Sequence, residues 1–493
     1  MSLRQPSHQV GVELGLLLGL EVEPAVFVNG LALDSRQVEP GFGFVALEGA
    51  ASHGLEHVES ALARGAAAVL FDEADAKRTA GVAMSVPAVP VPELRAKLPT
   101  LARAMWGDVD QSASICGVTG TDGKTSTAVF LAQLLHTESA PCGVLGTIGN
   151  GLMGQLQSAT HTTSDVLATY RAIAEFAHLG AHQVSMEVSS HALDQERVAG
   201  LTFAVGALTN LGRDHLDYHG TVERYASAKR RLFDEHAERA VFNLDDATGQ
   251  KWFTEHKRPM GYSLAGHPDA RWHATVLSLN DTGIQCRITA GPDAARECTL
   301  PILGRFNLSN LLCACAMAEC MGIGAQDVLN RLSRIAPVVG RLECLRNAGQ
   351  PVAVIDYAHT EQALHSAIAA LREHVSGKLW CVFGCGGDRD PGKRPGMARA
   401  ACAADHVVLT TDNPRFEAPE AIAQDASQGL LPGHPVEVIL DRKAAIEFAL
   451  THADATDCVL IAGKGHEPYQ EVCGQRHAFS DHDVVRSVFG VQP

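Results

Sequence analysis

The chain has 493 residues, 46% of them hydrophobic and 19% charged, which excludes a disordered polymer and allows several buried cores. At roughly 100–200 residues per domain, there is room for about three domains. With 40 Lys and Arg against 56 Asp and Glu the net charge is −16, a field that repels polyphosphate backbones, so no nucleic-acid partner is expected.

From the N-terminus, the apolar stretch 14–20 is short and flanked by Glu13 and Glu21. It is too short for a membrane span, lacks the basic flank of a signal peptide, and reads as an amphipathic helix. No membrane insertion and a cytoplasmic location are expected. Residues 1–92 mix short strands (42–47, 67–71, 86–92) with Gly and Pro punctuation and form a small first domain. A linking helix is predicted over 94–105, and a second domain spans 93–338. It opens on a strand at 114–116 and a helix over 125–136, with further strands at 183–188, 203–208 and 240–244. Helical patterns lie between them, as in a parallel sheet covered on its faces. After Pro337 the alternation restarts, with strands at 352–355, 379–383, 407–410, 436–439 and 458–461, so 339–493 reads as a doubly wound third domain. The fold class is therefore α/β throughout. The 13 cysteines include no C-x-x-C, and Cys313, Cys315, Cys320, Cys381 and Cys385 read as small core residues.

The strongest local signal is Gly117-Val118-Thr119-Gly120-Thr121-Asp122-Gly123-Lys124-Thr125-Ser126. It joins a strand to a helix, where glycines let backbone N–H groups approach phosphates and the helix terminus adds positive potential. Lys124 would reach the terminal phosphates and the Thr125 hydroxyl a magnesium ion. The spacing is one residue longer than the usual phosphate loop, with Val118 where its first glycine would stand. Asp122 adds an anion, tolerable only if its carboxylate points away. Such a loop alone suits kinases, motors, switches and ligases equally.

A second cluster falls at two later strand ends, Met186-Glu187-Val188-Ser189-Ser190-His191 and Asn210-Leu211-Gly212-Arg213-Asp214-His215-Leu216-Asp217-Tyr218-His219. In a doubly wound sheet the carboxyl ends of neighbouring strands share a crevice, so Glu187 and His215 are candidate magnesium partners. Taken alone, this cluster equally suggests a hydrolytic metal site.

Together with Asp356-Tyr357-Ala358-His359-Thr360, these motifs closely resemble those of the Mur ligase family of peptidoglycan precursor synthesis, from Leu33-Asp34-Ser35-Arg36 to Gly463-Lys464-Gly465-His466-Glu467. The extended phosphate loop is that family's form. The resemblance implies an N-terminal domain for the UDP-sugar substrate, a central P-loop ATPase-like domain and a C-terminal Rossmann-like domain for the incoming amino acid. It implies ligation of a diamino acid to UDP-N-acetylmuramoyl-L-alanyl-D-glutamate, with ATP and two magnesium ions, through an acyl phosphate. A monomer is expected. By the same resemblance Lys124, Glu187, His215 and Lys229 are catalytic, and Lys229 is carbamylated. Thr125, Glu187, His215 and Lys229 serve the metal. Gly120, Thr121, Asp122, Gly123, Lys124, Thr125, Ser126, Asn310, Arg341 and Asp356 serve ATP. Leu33, Ser35, Thr162, Thr163, Ser189, Gln195 and Arg197 serve the sugar-peptide; His161, where relatives can carry Asn, departs from the pattern.

The family's Asp-Asn-Pro-Arg motif, here Asp412-Asn413-Pro414-Arg415, is typical of members that add meso-diaminopimelate. A guanidinium suits that acceptor's distal carboxylate and would sit unpaired against lysine. Arg389, Gly463 and Glu467 match the remaining acceptor positions, Glu467 pairing with an ammonium. The rivals are the same ligase using L-lysine, a folylpolyglutamate synthase-like ligase, and a nucleotide switch that hydrolyses ATP without forming a bond.

Overall fold

The computed structural model describes residues 11–49, 52–159, 161–292 and 294–491. They fall into two compact units. The first takes the described residues of Met1–Gly120, Leu135–Gly206 and Arg213–Ala240; the second takes those of Thr121–Leu134, Ala207–Gly212 and Val241–Pro493.

In the first unit, β1 (Gly30–Ala32), β2 (Phe42–Ala46), β3 (Ala68–Asp72) and β4 (Ala88–Val91) form a parallel sheet in that order. β2 is buried along its whole length, and Phe42 and Phe44 pack with Val58, Val69 and Phe71. Each such side chain contributes roughly 1.5–3 kcal/mol on burial. Pro90 is confined to β4, an edge strand where its missing N–H breaks no ladder. The apolar stretch near the N-terminus is helical only over Leu14–Leu18.

The linking helix runs over Leu94–Trp106. Beyond it come β5 (Ser114–Thr119), β6 (Cys142–Gly146), β7 (Gly149–Leu152), β8 (Gln155–Gln157) and β9 (Gln183–Glu187), paired in the order β8-β7-β6-β9-β5. β5, β6 and β9 are parallel, so Gly120, Thr147 and Val188 leave the sheet from neighbouring carboxyl ends, where an open α/β sheet binds its ligands.

In the second unit, β10 (Ala240–Asn243), β11 (Met260–Ser263) and β12 (Trp272–Asn280) pair in parallel. β12, β13 (Gly283–Ala290) and β14 (Ala294–Leu300) form an antiparallel meander, a stretch to which the sequence reading assigned no strands. Buried Ile284, Cys286 and Ile288 alternate with more exposed residues along β13, a period-2 signal half hidden by polar neighbours.

The C-terminal sheet comprises β15 (Glu343–Leu345), β16 (Val352–Asp356), β17 (Leu379–Cys385), β18 (His406–Thr411), β19 (Val436–Val438) and β20 (Cys458–Ala462), in the order β15-β16-β20-β17-β18-β19. All but β15 are parallel. Successive strand residues serve opposite faces: Val354 and Leu460 pack with Leu364 and Phe383, whereas Ile355 and Ile461 pack with Ile446 and Val485. Inserting β20 between β16 and β17 brings Asp356, Ala462 and Cys385 to adjacent strand ends. A hairpin, β21 (Tyr469–Val472) and β22 (Gln475–Ala478), follows β20.

The cysteines are free thiols, as expected of core residues. Cys313 and Cys315 are wholly buried in the helix Arg305–Cys320, and burial pushes the Cys313 thiol up to about 12. Among the described residues, no helix is long and apolar enough to cross a membrane.

Candidate active site

The phosphate loop, which belongs to the second unit from Thr121 onward, runs into the helix Lys124–Leu135. Gly123 has φ +83°, and a Cβ there would collide with the Asn310 side chain, so only glycine lets that amide pack on the loop. Asp122 is exposed, and its backbone is clamped: its N–H donates to Asn210 Oδ1 at 3.0 Å, and its carbonyl accepts from Asn210 Nδ2 at 3.1 Å and Thr209 Oγ1 at 2.6 Å. The Gly212 N–H donates to Thr121 Oγ1 at 2.8 Å. Lys124 Nζ donates to the Thr121 carbonyl at 2.9 Å, while Thr125 and Ser126 are buried. Arg341 Nη2 donates to Thr125 Oγ1 at 3.2 Å, and its guanidinium lies 4.8 Å from the centre of the Tyr357 ring. Asp356 spends its carboxylate on the Leu342 and Ala358 N–H groups, at 2.7 and 2.9 Å. Burial pushes its pKa up against the pull of Arg341 and those two donors.

The sugar-peptide candidates, and the metal candidates other than Thr125, lie in the first unit. Glu187, at the end of β9, is 1% exposed; Thr147, just past β6, gives its N–H to Oε1 at 2.7 Å and its hydroxyl to Oε2 at 3.3 Å. The Thr147 hydroxyl is also 3.1 Å from that of Thr162. Thr163 Oγ1 donates to the Glu187 carbonyl at 2.9 Å and accepts from the Ser189 N–H at 3.2 Å. Arg197 Nη1 donates to the Thr163 carbonyl at 2.9 Å, and Nη2 to Gln195 Oε1 at 2.6 Å. Thr162, Thr163, Ser189, Gln195 and Arg197 therefore form one network with Glu187. Leu33 and the buried Ser35 flank Asp34, whose carboxyl is held low by hydrogen bonds from Arg36. Burial lowers the pKa of His161, with Arg197 and Arg36 adding to the effect, so segment 33–36 is within electrostatic reach of the residue before Thr162.

Lys229, on the helix Val222–Arg231, is 1% exposed; its Nζ donates to the Gly120 carbonyl at 2.7 Å and lies 4.4 Å from the centre of the Tyr225 ring. Although Arg230 and Arg231 follow it, Lys229 is therefore not a solvated surface charge. His215 has φ +52°, the left-handed region that a residue with a Cβ occupies only when its surroundings hold it there, and its ring lies 4.7 Å from that of His191.

Among the described residues, no group of three or more His, Cys, Asp and Glu side chains could hold a metal ion. Magnesium ordinarily takes one or two carboxylates and completes its shell with phosphate oxygens and water, and the immobilised Glu187 carboxylate is a donor of that kind. The residues fit a nucleotide-borne ion rather than a protein-caged one.

In the C-terminal sheet, Asp412 and Asn413 are buried just past β18, and Arg415 follows with φ +51°. The hairpin holds this loop: Gln470 Nε2 donates to the Asp412 carbonyl at 2.9 Å, the Glu471 N–H to Asn413 Oδ1 at 3.0 Å, and the Arg415 N–H to the Glu471 carbonyl at 3.0 Å. Arg415 Nη1 donates to the Gly387 carbonyl at 2.6 Å. Asn413 Nδ2 donates to Glu467 Oε2 at 3.0 Å. A Cβ on Gly463 would meet the Asp412 carboxylate, which explains the glycine. Asp412, Asn413, Arg415, Gly463 and Glu467 thus assemble at one place, whereas Arg389 is exposed and outside this hydrogen-bonded network.

Sequence reasoning missed Thr147, Gln470 and Lys464. Thr147 was detectable as the residue leaving a strand beside that of Glu187; Gln470 is placed by the hairpin, and Lys464 by the strand order that brings the loop after β20 to the one after β18.

A phosphate loop at the end of a parallel α/β sheet, with a second doubly wound sheet further along the chain, is the framework of an ATP-using enzyme. The chain belongs to the Mur ligase family: residues 27–106 match the Mur ligase family catalytic domain, 118–318 the Mur ligase middle domain and 340–465 the Mur ligase glutamate ligase domain. It is 47% identical over 474 residues to a UDP-N-acetylmuramoyl-L-alanyl-D-glutamate--2,6-diaminopimelate ligase of Alkalilimnicola ehrlichii, covering 94% of this chain and 95% of the relative. A protein of the same name from Xanthomonas oryzae is 45% identical over 480 residues, covering 95% and 96%. A solved structure of a ligase of that name superposes with a TM-score of 0.65 at 36% identity, covering 98% of this chain and 99% of the other.

Proposed function

We propose that the chain is the ATP-dependent ligase that joins meso-diaminopimelate to the D-glutamate side-chain carboxylate of UDP-N-acetylmuramoyl-L-alanyl-D-glutamate, acting as a cytoplasmic monomer in peptidoglycan precursor synthesis. The observation that carries the choice of acceptor is the joint fixing of Arg415 and Glu467 through one loop and its hairpin. A guanidinium and a carboxylate held together suit an amino acid with a distal carboxylate and an ammonium. Residues 1–92 serve the UDP-sugar, 93–338 serve ATP and 339–493 serve the acceptor.

A carboxylate acylates nothing until its oxygen becomes a leaving group. The substrate carboxylate oxygen therefore attacks the γ-phosphorus, the bond to ADP breaks, and an acyl phosphate results. The acceptor's free amine then attacks the acyl carbon, its nitrogen gives up one proton to solvent, phosphate departs, and the amide forms. Both reactants of the first step are anionic, so Lys124 and the loop N–H groups from Gly120 to Ser126 neutralise the phosphates. Thr125, Glu187, His215 and a carbamylated Lys229 would hold two magnesium ions, which when bound offset the charge that builds between carboxylate and phosphate. Asn310 takes the adenine side, and Arg341 and Asp356 set the nucleotide edge of the third domain. Leu33, Ser35, Thr162, Thr163, Ser189, Gln195 and Arg197 orient the sugar-peptide, while Arg389, Asp412, Asn413, Arg415, Gly463 and Glu467 receive the acceptor.

The test is phosphate release with ATP, magnesium and the UDP-muramoyl dipeptide, comparing meso-diaminopimelate with L-lysine. Turnover with meso-diaminopimelate alone is expected. A preference for lysine would overturn the role given to Arg415, and turnover without either acceptor would overturn the ligase reading.

A further inference from the structure

Lys464 lies between two of the acceptor residues but belongs to none of the sets assigned above. Its side chain is 0% exposed, an unusual state for a lysine, which is almost never fully buried unless paired. The pairing is specific. Nζ donates to Glu467 Oε2 at 3.0 Å and to Asn413 Oδ1 at 3.1 Å, and lies 5.4 Å from the centre of the Tyr469 ring. Asn413 in turn donates through Nδ2 to the same Glu467 Oε2 at 3.0 Å. The three side chains close a ring of hydrogen bonds in which Oε2 takes two donors and, among the described residues, Oε1 takes none. The Glu471 N–H, also on Asn413 Oδ1, fixes which end of the amide is oxygen.

We propose that Lys464 is a positioning residue for the acceptor: it locks Glu467 and Asn413 into one rigid unit, engaging Oε2 and leaving Oε1 for the acceptor's ammonium. This rests on the acceptor site proposed above. Without the cation, the Asn413 amide is the one donor the Glu467 carboxylate keeps among the described residues, so the acceptor must bind a group that is less preorganised. A buried lysine serving fold stability alone would have no reason to share its bonds with two acceptor residues and no others.

The test compares the full-length wild type with Lys464→Met, Glu467→Gln and the double variant, measuring kcat and KM for the acceptor, ATP and the UDP-muramoyl dipeptide. Lys464→Met should raise the acceptor KM about ten- to hundred-fold, the factor expected for one lost hydrogen bond to a charged partner, with the other two KM values unchanged. In the Glu467→Gln background the same substitution should add little, because the group it positions has already been changed. Should Lys464→Met fail to fold, as judged by its thermal transition, Lys464→Gln carries the same comparison, since it keeps a neutral donor in the ring. An unchanged acceptor KM, equal rises in all three KM values, or full additivity with Glu467→Gln would each overturn the positioning role. If the wild type proves to use lysine, the functional reading falls and the Lys464 comparison is made with lysine; a wild type using neither acceptor would overturn both.

Discussion

Arg442 and Asp481 form an ion pair that is 0% exposed on both sides. The geometry is bidentate, Nε to Oδ1 and Nη2 to Oδ2, each at 2.8 Å, and Nη2 also donates to the Ala462 carbonyl at 3.0 Å. That carbonyl ends β20, directly before Gly463 of the proposed acceptor site, so the pair ties the C-terminal helix Asp481–Phe489 to the loop that follows β20. Asp481→Ala leaves a guanidinium buried without its counter-ion, which costs about 3–5 kcal/mol. At roughly 2–4 °C per kcal/mol for a domain of this size, the thermal transition should fall by on the order of 10 °C. Replacing both partners with apolar residues, Arg442→Met with Asp481→Leu, removes the orphaned charge. It loses only the bonds to backbone carbonyls, so the double variant should recover most of the loss. Scanning calorimetry of the wild type, the single variant and the double variant is the assay. A single variant within about 1 kcal/mol of wild type, or a double variant less stable than the single, would refute the claim that burial makes each charge depend on the other.

Lys229→Ala should abolish phosphate release, and a short-chain carboxylate in the buffer should restore part of it by standing in for the carbamate; full activity in the variant would remove the carbamate from the mechanism. Asn210→Ala deletes both side-chain bonds to the Asp122 backbone, so the KM for ATP should rise about tenfold, and an unchanged value would show that the loop is held without that clamp. Burial pushes the Glu343 carboxyl up, but His482 Nε2 at 2.6 Å and the Gly340 N–H at 2.8 Å outweigh it, so its pKa lies below the ordinary 4.5. A depressed folded-state pKa means that the contact stabilises at neutral pH and is lost as pH falls through and below about 4.5. Unfolding measured from neutral to acid pH should show the wild type losing its advantage over Glu343→Gln in that window, and parallel curves would contradict this.

Chemistry confined to one strand end was legible in the sequence. Gly120-Thr121-Asp122-Gly123-Lys124-Thr125 places its donors within a few residues, so composition and spacing identify it whatever the rest of the chain does. The alternation of short apolar strands with helical patterns specified α/β architecture, because a parallel pair cannot form without a crossover. The antiparallel meander from Trp272 to Leu300 escaped that logic, since its strands need only short turns and half their residues face water. Lys229 shows where local reading stops. Beside Arg230 and Arg231 it has the look of a solvated charge, yet the helix turns it inward onto the Gly120 carbonyl.

The sequence alone therefore determined the class of fold and the family, because the strand–helix alternation and the motifs that carry the resemblance each lie within short stretches. Only the tertiary structure decided which side chains support the functional ones. Thr147 reaches Glu187 because β6 lies beside β9, forty residues away in the chain. Lys464 and Gln470 reach the loop at 412–415 because β20 is inserted beside β17 and sends the chain back across β18's end. Partners of that kind are set by strand order, which is a property of how the whole sheet packs and leaves no mark in any local stretch of sequence.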